Sequence, residues 1–447
     1  MTVEGDRELQ FRKMGDAARG IFGQALAEAS IANGFARHVH CERGVLRVRE
    51  DLYHLNAYSR VLVVSIGKAG HTMVEALARQ VGQSFLESSL EGIVASSVEP
   101  ATQTRRFRYF HGGHPMPDAE SIRAATAIRR ALEAQTAASL VIFMLSGGGS
   151  AIVEKPIDDE VTLDELMMTY RALVHSGAPI AQINAIRKHL SAVKGGRLAQ
   201  AAFPAQQVSL LVSDVPDNTP DALASGPTMP DSTTSEECYR IAEKHGLLPQ
   251  FPRSTRELLE RHALDETPKS DDPAFYRSRW WTILSNQSAV EEASAAAESA
   301  GFAVYVDNSC DDWDYERAAE HLLKRLRELR KESARVCLIS GGEVTVKVTN
   351  GGIGGRNQQF ALTCAAKIAG ENITVLSAGT DGVDGNSPAS GAVVDGTTME
   401  RARSKGLDVR EALERFNAYP LFRALGDSIE TGPTGNNLRD LRLLLTY

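Results

Sequence analysis

An arginine held between glycines and a pair of aspartates held between glycines stand about one strand and one helix apart in this chain. They are Gly354-Gly355-Arg356-Asn357-Gln358-Gln359 and Gly379-Thr380-Asp381-Gly382-Val383-Asp384-Gly385. Glycine lets backbone N–H groups close on an anion without a Cβ in the way, and arginine offers a planar, permanently charged fork to phosphate or carboxylate oxygens. Carboxylate oxygens are the ligands Mg²⁺ prefers. The combination points to phosphoryl transfer.

Further candidates fall where apolar runs end, which is where open α/β sheets collect their ligands. Ser65-Ile66-Gly67-Lys68-Ala69-Gly70 puts Lys68 on a turn leading into a helix, as an anion-facing ammonium or a plain surface lysine. Ser146-Gly147-Gly148-Gly149-Ser150 can form a nest of successive amides for an anion, or a flexible connection. Ser213-Asp214-Val215 sets Asp214 at a strand tip as a ligand or base, and Ser340-Gly341-Gly342-Glu343 repeats the strand-then-glycine pattern with a hairpin turn as the plain alternative. Arg187-Lys188-His189 and Lys194-Gly195-Gly196-Arg197 crowd cations at a helix end, as a solvated face or as a device that steers an anionic substrate. His111 and His114 have metal-like spacing, but Pro115 and Pro117 make an irregular loop of the segment, which disfavours zinc. There is no Walker A loop, no Gly-x-Gly-x-x-Gly after the first strand and no Gly-x-Ser-x-Gly elbow.

The elements that must position these residues alternate. Apolar runs at 61–65, 92–96, 140–145 and 207–212 read as buried parallel strands, and 122–134 and 163–174 as the helices between them. Thr162-x-x-Glu165 is a capping box. Prolines at 227, 230, 249, 252, 268 and 273 break the texture between Asp221 and Arg279, which places the domain junction there. A second alternation follows, with strands near 281–284, 303–307, 334–339, 344–348, 373–377 and 392–394. The expected organisation is an N-terminal parallel-sheet domain over 1–240, a connecting region over 241–274 and a C-terminal α/β domain over 275–447. A chain of 447 residues is longer than one core usually supports. Its 43% hydrophobic and 24% charged residues are those of an ordinary soluble α/β protein. A net charge of -8 argues against nucleic acid as the main partner. No apolar run is long enough to span a membrane, the polar start Met1–Glu8 carries no secretion signal, and five scattered cysteines fit a reduced cytoplasm.

Taken in chain order, several segments together resemble the class II (MOFRL-type) glycerate 2-kinase family. They are Ser65–Ala69, Gly113–Asp118, Leu145–Ala151, Ile183-Asn184 with Arg187–Ser191, Ser213–Val215, Ala224–Thr228, Gly354–Gln358 and Thr431–Gly435. The resemblance implies a Rossmann-like N-terminal domain, a smaller MOFRL domain, and an interdomain cleft where ATP, Mg²⁺ and D-glycerate meet, with Lys68 and Arg356 as the active-site cations facing each other across it. The chain departs from the family pattern twice. Gln359 stands where an acid is usual, and Asn386-Ser387-Pro388-Ala389 replaces Pro-Thr-Asp-Ala.

The expected activity is therefore transfer of the ATP γ-phosphoryl group to glycerate. Lys68, Arg187 and Arg356 bind substrate, Ser146, Gly147, Gly148, Gly149 and Ser150 hold nucleotide phosphates, and Asp214, Asp381 and Asp384 are the candidate Mg²⁺ ligands, with Asp214 or Asp381 also able to place the hydroxyl. A nicotinamide-dependent hydroxypyruvate reductase and a non-catalytic sugar-acid-binding regulator are the rival readings. The partners expected are a small-molecule substrate and at most a second copy of the chain.

Overall fold

The computed structural model describes residues 3–349 and 351–447. Met1 and Thr2, part of the polar start noted above, and Asn350 lie outside the described residues. The chain divides into two compact units, Ile31–Ile283 on one hand and Met1–Ser30 with Leu284–Tyr447 on the other.

The unit Ile31–Ile283 opens with a small antiparallel meander, β1 (Val39–Glu42), β2 (Val45–Val48) and β3 (Asp51–His54). Six strands follow: β4 (Arg60–Ile66), β5 (Leu90–Ser96), β6 (Phe107–His111), β7 (Ser139–Ser146), β8 (Gln206–Val212) and β9 (Ser278–Leu284). Their spatial order is β6-β5-β4-β7-β8-β9, with β4 parallel to both β5 and β7. The runs Val61–Val64 and Leu140–Leu145 are buried throughout, as strands covered on both faces must be. Strand order reverses at β4, so the turns after β4 and β7 sit side by side at the switch point where doubly wound sheets take their ligands.

Two expectations fail in this unit. The proline-rich stretch is not a connection, because helices Ser235–Lys244 and Arg253–Glu260 turn Cys238, Ala242 and Leu259 onto a core shared with Leu166, Leu173 and Ile186. The prolines only punctuate these helices. The strand expected at 281–284 to start the second domain is instead β9, next to β8 at the edge of the first sheet, where it can leave Arg279 and Trp280 exposed.

The second unit carries a mixed sheet of β10 (Ala303–Val306), β11 (Val336–Gly341), β12 (Ile373–Gly379), β13 (Gly391–Asp395), β14 (Ser428–Ile429) and β15 (Asp440–Thr446), in the order β10-β11-β15-β12-β13-β14. The last strand of the chain is thus central, antiparallel to β11 and β12. The strand expected at 344–348 is absent: after β11 the chain turns at Gly342 (φ +85°) and leaves the sheet, keeping only an isolated bridge between Thr345 and Asp314.

Residues up to Ser30 belong to this unit, not to the N-terminal domain expected over 1–240. Helix Val3–Glu28 repeats buried Phe11, Met14, Ala18, Ile21, Phe22 and Ala25 at helical spacing, and this stripe packs on helix Asn286–Ser299 and strands β12 and β13. Phe22 is 1% exposed. Phe22→Ala should therefore cost about 3–5 kcal/mol in urea unfolding followed by a probe in the Leu284–Tyr447 part of the fold. A loss below about 1 kcal/mol would show that the helix is an appendage and not a member of this core.

Candidate functional site

In the unit Ile31–Ile283 the turns after β4 and β7 are laced together. The Lys68 amide donates to the Gly147 carbonyl at 2.9 Å, the Ala69 amide donates to Ser146 Oγ at 3.1 Å, and Ser146 Oγ donates to the Ile66 carbonyl at 3.4 Å. A Cβ on Gly67 (φ +123°) would collide with Ser146, and a Cβ on Gly147 would run into the Asp214 carboxylate. The glycines are therefore required by close approach. Lys68 is exposed, with its stem beside Gly148 and the ring of His114 on the same spot. The His114 pKa is lowered, first by desolvation and then by the Lys68 ammonium, so the imidazole is neutral at neutral pH.

The third wall is the turn Ala224-Ser225-Gly226, with φ of +51°, +62° and +61°. Two non-glycine residues in the left-handed region cost on the order of 1–3 kcal/mol each, and such strain persists where the surroundings over-determine it. Ser225 Oγ lies 2.8 Å from Ser150 Oγ, and Ala224 packs against Gly149. Lys68, Ser146–Ser150 and Asp214 are thus brought together, and His114, Ala224 and Ser225 join them. In the sequence His114 carries two signals, its spacing from His111 and its place in the Gly113–Asp118 segment.

The cation cluster is neither a solvated face nor free to steer. Lys188 pairs with Asp221 at 3.0 Å and Asp231 at 3.2 Å, and buried His189 reaches Glu266 at 2.9 Å. Lys194, 1% exposed, is bound to the fully buried Glu154, which also accepts from Tyr170 Oη (2.8 Å) and Ser191 Oγ (2.6 Å). Burial lowers the Lys194 pKa and Glu154 opposes that shift. Arg187 differs: its guanidinium lies over the Tyr170 ring, 4.5 Å from the centroid, and its buried Nε, like that of Arg197, has no hydrogen-bond partner among the described residues.

In the other unit Arg356 begins helix Arg356–Lys367 and is gripped from two sides. Its Nε donates to Asp440 Oδ2 at 2.6 Å and one Nη to Asp440 Oδ1 at 3.1 Å, while Glu343 Oε1 lies 2.6 Å from the same Nη. Burial works to lower the arginine's pKa, but Asp440 and Glu343 hold it above its ordinary value. Burial pushes the Glu343 carboxyl up, Arg356 pulls it down, and Asp440 adds to the rise. Arg356, Glu343, Asp381 and Asp384 line a cavity of about 650 Å³ with Gly352, Gly354, Gly355 and Gly385. Asp381 spends one oxygen on the Val383 amide at 3.1 Å, closing an Asx turn at the cavity wall. A second cavity of about 530 Å³ lies along helix Val3–Glu28, but its Arg401 is committed to Asp427 by paired bonds of 2.9 Å.

Asp384 does not have the free carboxylate expected of a metal ligand. It is 2% exposed and accepts from the Asn357 and Gln358 amides at 3.0 and 2.9 Å and from their side chains at 3.4 and 3.0 Å. It therefore caps the helix that Arg356 begins. The departure at Gln359 also has a local reason, since its Nε2 donates to the Leu413 carbonyl at 2.9 Å, a bond no carboxylate could make.

Burial raises the Asp384 pKa from 3.8 to about 6 despite the two backbone donors. A carboxyl whose folded pKa is raised contributes stability below its unfolded pKa and loses it as pH rises through the folded one. Wild-type Tm should therefore fall relative to Asp384→Asn between about pH 4 and pH 6.5. A difference in Tm that is flat over this window, or grows in favour of the wild type, would refute the assignment.

Two family models match the chain: a domain of unknown function (DUF4147) over residues 17–260 and the MOFRL family over residues 336–440. D-glycerate 2-kinase of Thermotoga maritima is 35% identical over 399 residues, covering 88% of this chain and 92% of that one. A protein of Agrobacterium vitis with the provisional name hydroxypyruvate reductase is 35% identical over 393 residues, covering 86% and 87%. Among solved structures, a glycerate kinase from Thermotoga maritima superposes with a TM-score of 0.83 at 31% identity, over 98% of this chain and 100% of that one. The chain belongs to the MOFRL-type glycerate 2-kinase family.

Proposed function

We propose that this protein is an ATP-dependent glycerate 2-kinase, forming 2-phosphoglycerate and ADP. The observation that carries the reading is the Lys68 turn: an exposed ammonium set against three consecutive glycines at the switch point of a doubly wound sheet. Phosphoryl transfer asks little covalent chemistry of a protein and much positioning and charge stabilisation. Lys68 supplies a mobile point charge for the transferring phosphoryl group, and the Gly147–Ser150 backbone supplies amides for nucleotide phosphate oxygens. In the other unit Arg356 is a candidate cation for phosphate or carboxylate oxygens. Because Asp440 and Glu343 grip it, its guanidinium is presented in one orientation, and Asp384 fixes the helix end that carries it. Arg187, stacked on Tyr170 and with no ion pair among the described residues, is suited to the glycerate carboxylate. Mg²⁺ arriving with the nucleotide would spread charge over the phosphates, and Asp214 in one unit and Asp381 in the other are, each taken by itself, candidate carboxylates for it.

The reductase reading is the weaker one for this chain. The turn after β4 reads Gly67-Lys68-Ala69-Gly70-His71-Thr72, placing Ala69 and Thr72 where dinucleotide folds need their second and third glycines, the second so that backbone can approach the pyrophosphate. Purified protein should form ADP only when glycerate is added, with no NADH consumption on hydroxypyruvate, and Lys68→Ala should lower kcat by roughly 10²–10⁴ without a change in Tm. Hydroxypyruvate-dependent NADH oxidation without ADP formation would overturn the proposal. For Asp381→Asn, the metal role predicts a higher Mg²⁺ requirement in an activity titration. A curve overlaying the wild type would remove Asp381 from the metal site.

A further inference from the structure

Of the cations at the end of helix Ile180–His189 and in the turn after it, Lys188 and Lys194 are neutralised. Lys188 is paired with Asp221 and Asp231, and Lys194 with Glu154. Arg187 has no ion pair among the described residues and lies over the face of Tyr170, 4.5 Å from the ring centroid. An aromatic face can fix a guanidinium as a carboxylate does, but it leaves the positive charge uncancelled. The N–H groups of the fork lie in its own plane, so stacking on a ring does not use them. A carboxylate in the place of Tyr170 would compete with any anionic ligand for the same donors.

Tyr170 is itself fixed. It is 3% exposed, and its Oη donates to Glu154 Oε2 at 2.8 Å. Lys194 Nζ binds the same oxygen, while Ser191 Oγ at 2.6 Å and the Lys155 amide at 2.9 Å donate to Oε1. Each oxygen of this fully buried carboxylate thus has two donors. A buried ion pair is often no more stable than apolar residues of the same shape, so its presence here asks for a reason beyond stability. Hydrogen-bonded groups polarise one another at low dielectric, and a phenol that donates to a carboxylate carries a more electron-rich ring. That strengthens the face on which Arg187 lies. The network is also tied to the strained wall of the site: the amides of Gly195 and Gly196, next to Lys194, donate to the Ser225 and Gly226 carbonyls at 3.0 and 2.8 Å.

We propose that Tyr170, set by Glu154 and Lys194, is a positioning residue that holds Arg187 with its charge uncancelled for the acceptor's carboxylate, so that an acid is selected over its uncharged analogue. The inference rests on the kinase reading for the identity of the acceptor and adds to it what makes Arg187 selective. It is tested on the full-length protein by calorimetric binding of D-glycerate and of its uncharged amide, D-glyceramide, together with steady-state kinetics, for wild type, Tyr170→Leu and Tyr170→Phe. Wild type should bind the acid more tightly than the amide. Tyr170→Leu should raise the Kd and KM for D-glycerate by ~10-fold, the effect of a lost cation–π contact, and leave the D-glyceramide Kd and the KM for ATP within about twofold. Tyr170→Phe keeps the ring and loses the bond to Glu154, so a smaller rise of ~3-fold is expected, again for D-glycerate alone.

Equal rises for D-glycerate, D-glyceramide and ATP would leave Tyr170 a core residue only and overturn the proposal, as would wild-type affinities in both variants. Wild-type protein that binds acid and amide alike would overturn it equally. A Tyr170→Phe variant that behaves as wild type while Tyr170→Leu loses D-glycerate would keep the ring and overturn the link to Glu154. Where Tyr170→Leu does not fold, the split of ~3-fold between acid and amide in Tyr170→Phe decides the matter. Glycerate-dependent ADP formation reports the kinase reading separately in each case. Selective, Tyr170-dependent binding of D-glycerate without ADP formation would keep the carboxylate site and overturn glycerate as the phosphoryl acceptor.

Discussion

Helix Arg356–Lys367 begins on a carboxylate that comes from elsewhere in the chain. Its own flanking residue is Gly355, which has no side chain to cap it, and the Asp384 carboxylate enters from the Asp381–Gly385 turn to take the Asn357 and Gln358 amides. A Cβ on Gly355 would collide with Asp384, so the glycine is a condition of the cap. The same helix end is tied to the central strand through Arg356 and Asp440, and Ser377 on β12 donates to Asn357 Oδ1 at 2.6 Å. Two glycine turns and two strands are thus referred to one point. The cap thereby fixes the helix end from which Arg356 reaches Asp440 and Glu343.

The unit Ile31–Ile283 solves the same problem by different means. There the lysine is left mobile and the backbone beneath it is made rigid, by the lacing of Lys68 and Ala69 to Gly147 and Ser146 and by the strained turn at Ala224-Ser225. In one unit charge is oriented by carboxylates around an arginine. In the other a flexible stem carries charge over a fixed floor. Arginine suits the first role because its fork is directional, and lysine the second because its ammonium is a point charge on a rotatable chain.

Much of this was legible in the sequence wherever the signal was local. Buried strands such as Leu140–Leu145 declare themselves by continuous apolar runs, the Thr162–Glu165 box marks a helix start, and glycines flanking Lys68, Arg356 and Asp381 mark turns. The failures are all of pairing at long range. Asp440 starts the run Leu441–Leu445, but only the insertion of β15 between β11 and β12 brings it under Arg356. Asp384 looked like Asp381, both being aspartates beside glycine, and only burial separates the buried cap from the half-buried acid. Lys188 and Lys194 looked like solvated charge because their partners Asp231 and Glu154 lie far from them in sequence. The Val344–Val348 alternation has the period of a strand, yet the turn at Gly342 removes its neighbours.

Helix Val3–Glu28 completes the unit built from Leu284–Tyr447, and this bears on how the protein is made. Synthesis runs at ~5–20 residues per second, so the helix leaves the ribosome on the order of ten seconds or more before the strands it covers exist. The whole Ile31–Ile283 unit can fold in that interval, while the stripe of Phe11, Met14, Ile21 and Phe22 waits without its partner surface. The central strand β15 emerges after every other strand of its sheet, so this core closes late. The apolar stripe of that helix is thereby the stretch of this unit left longest without its partner surface.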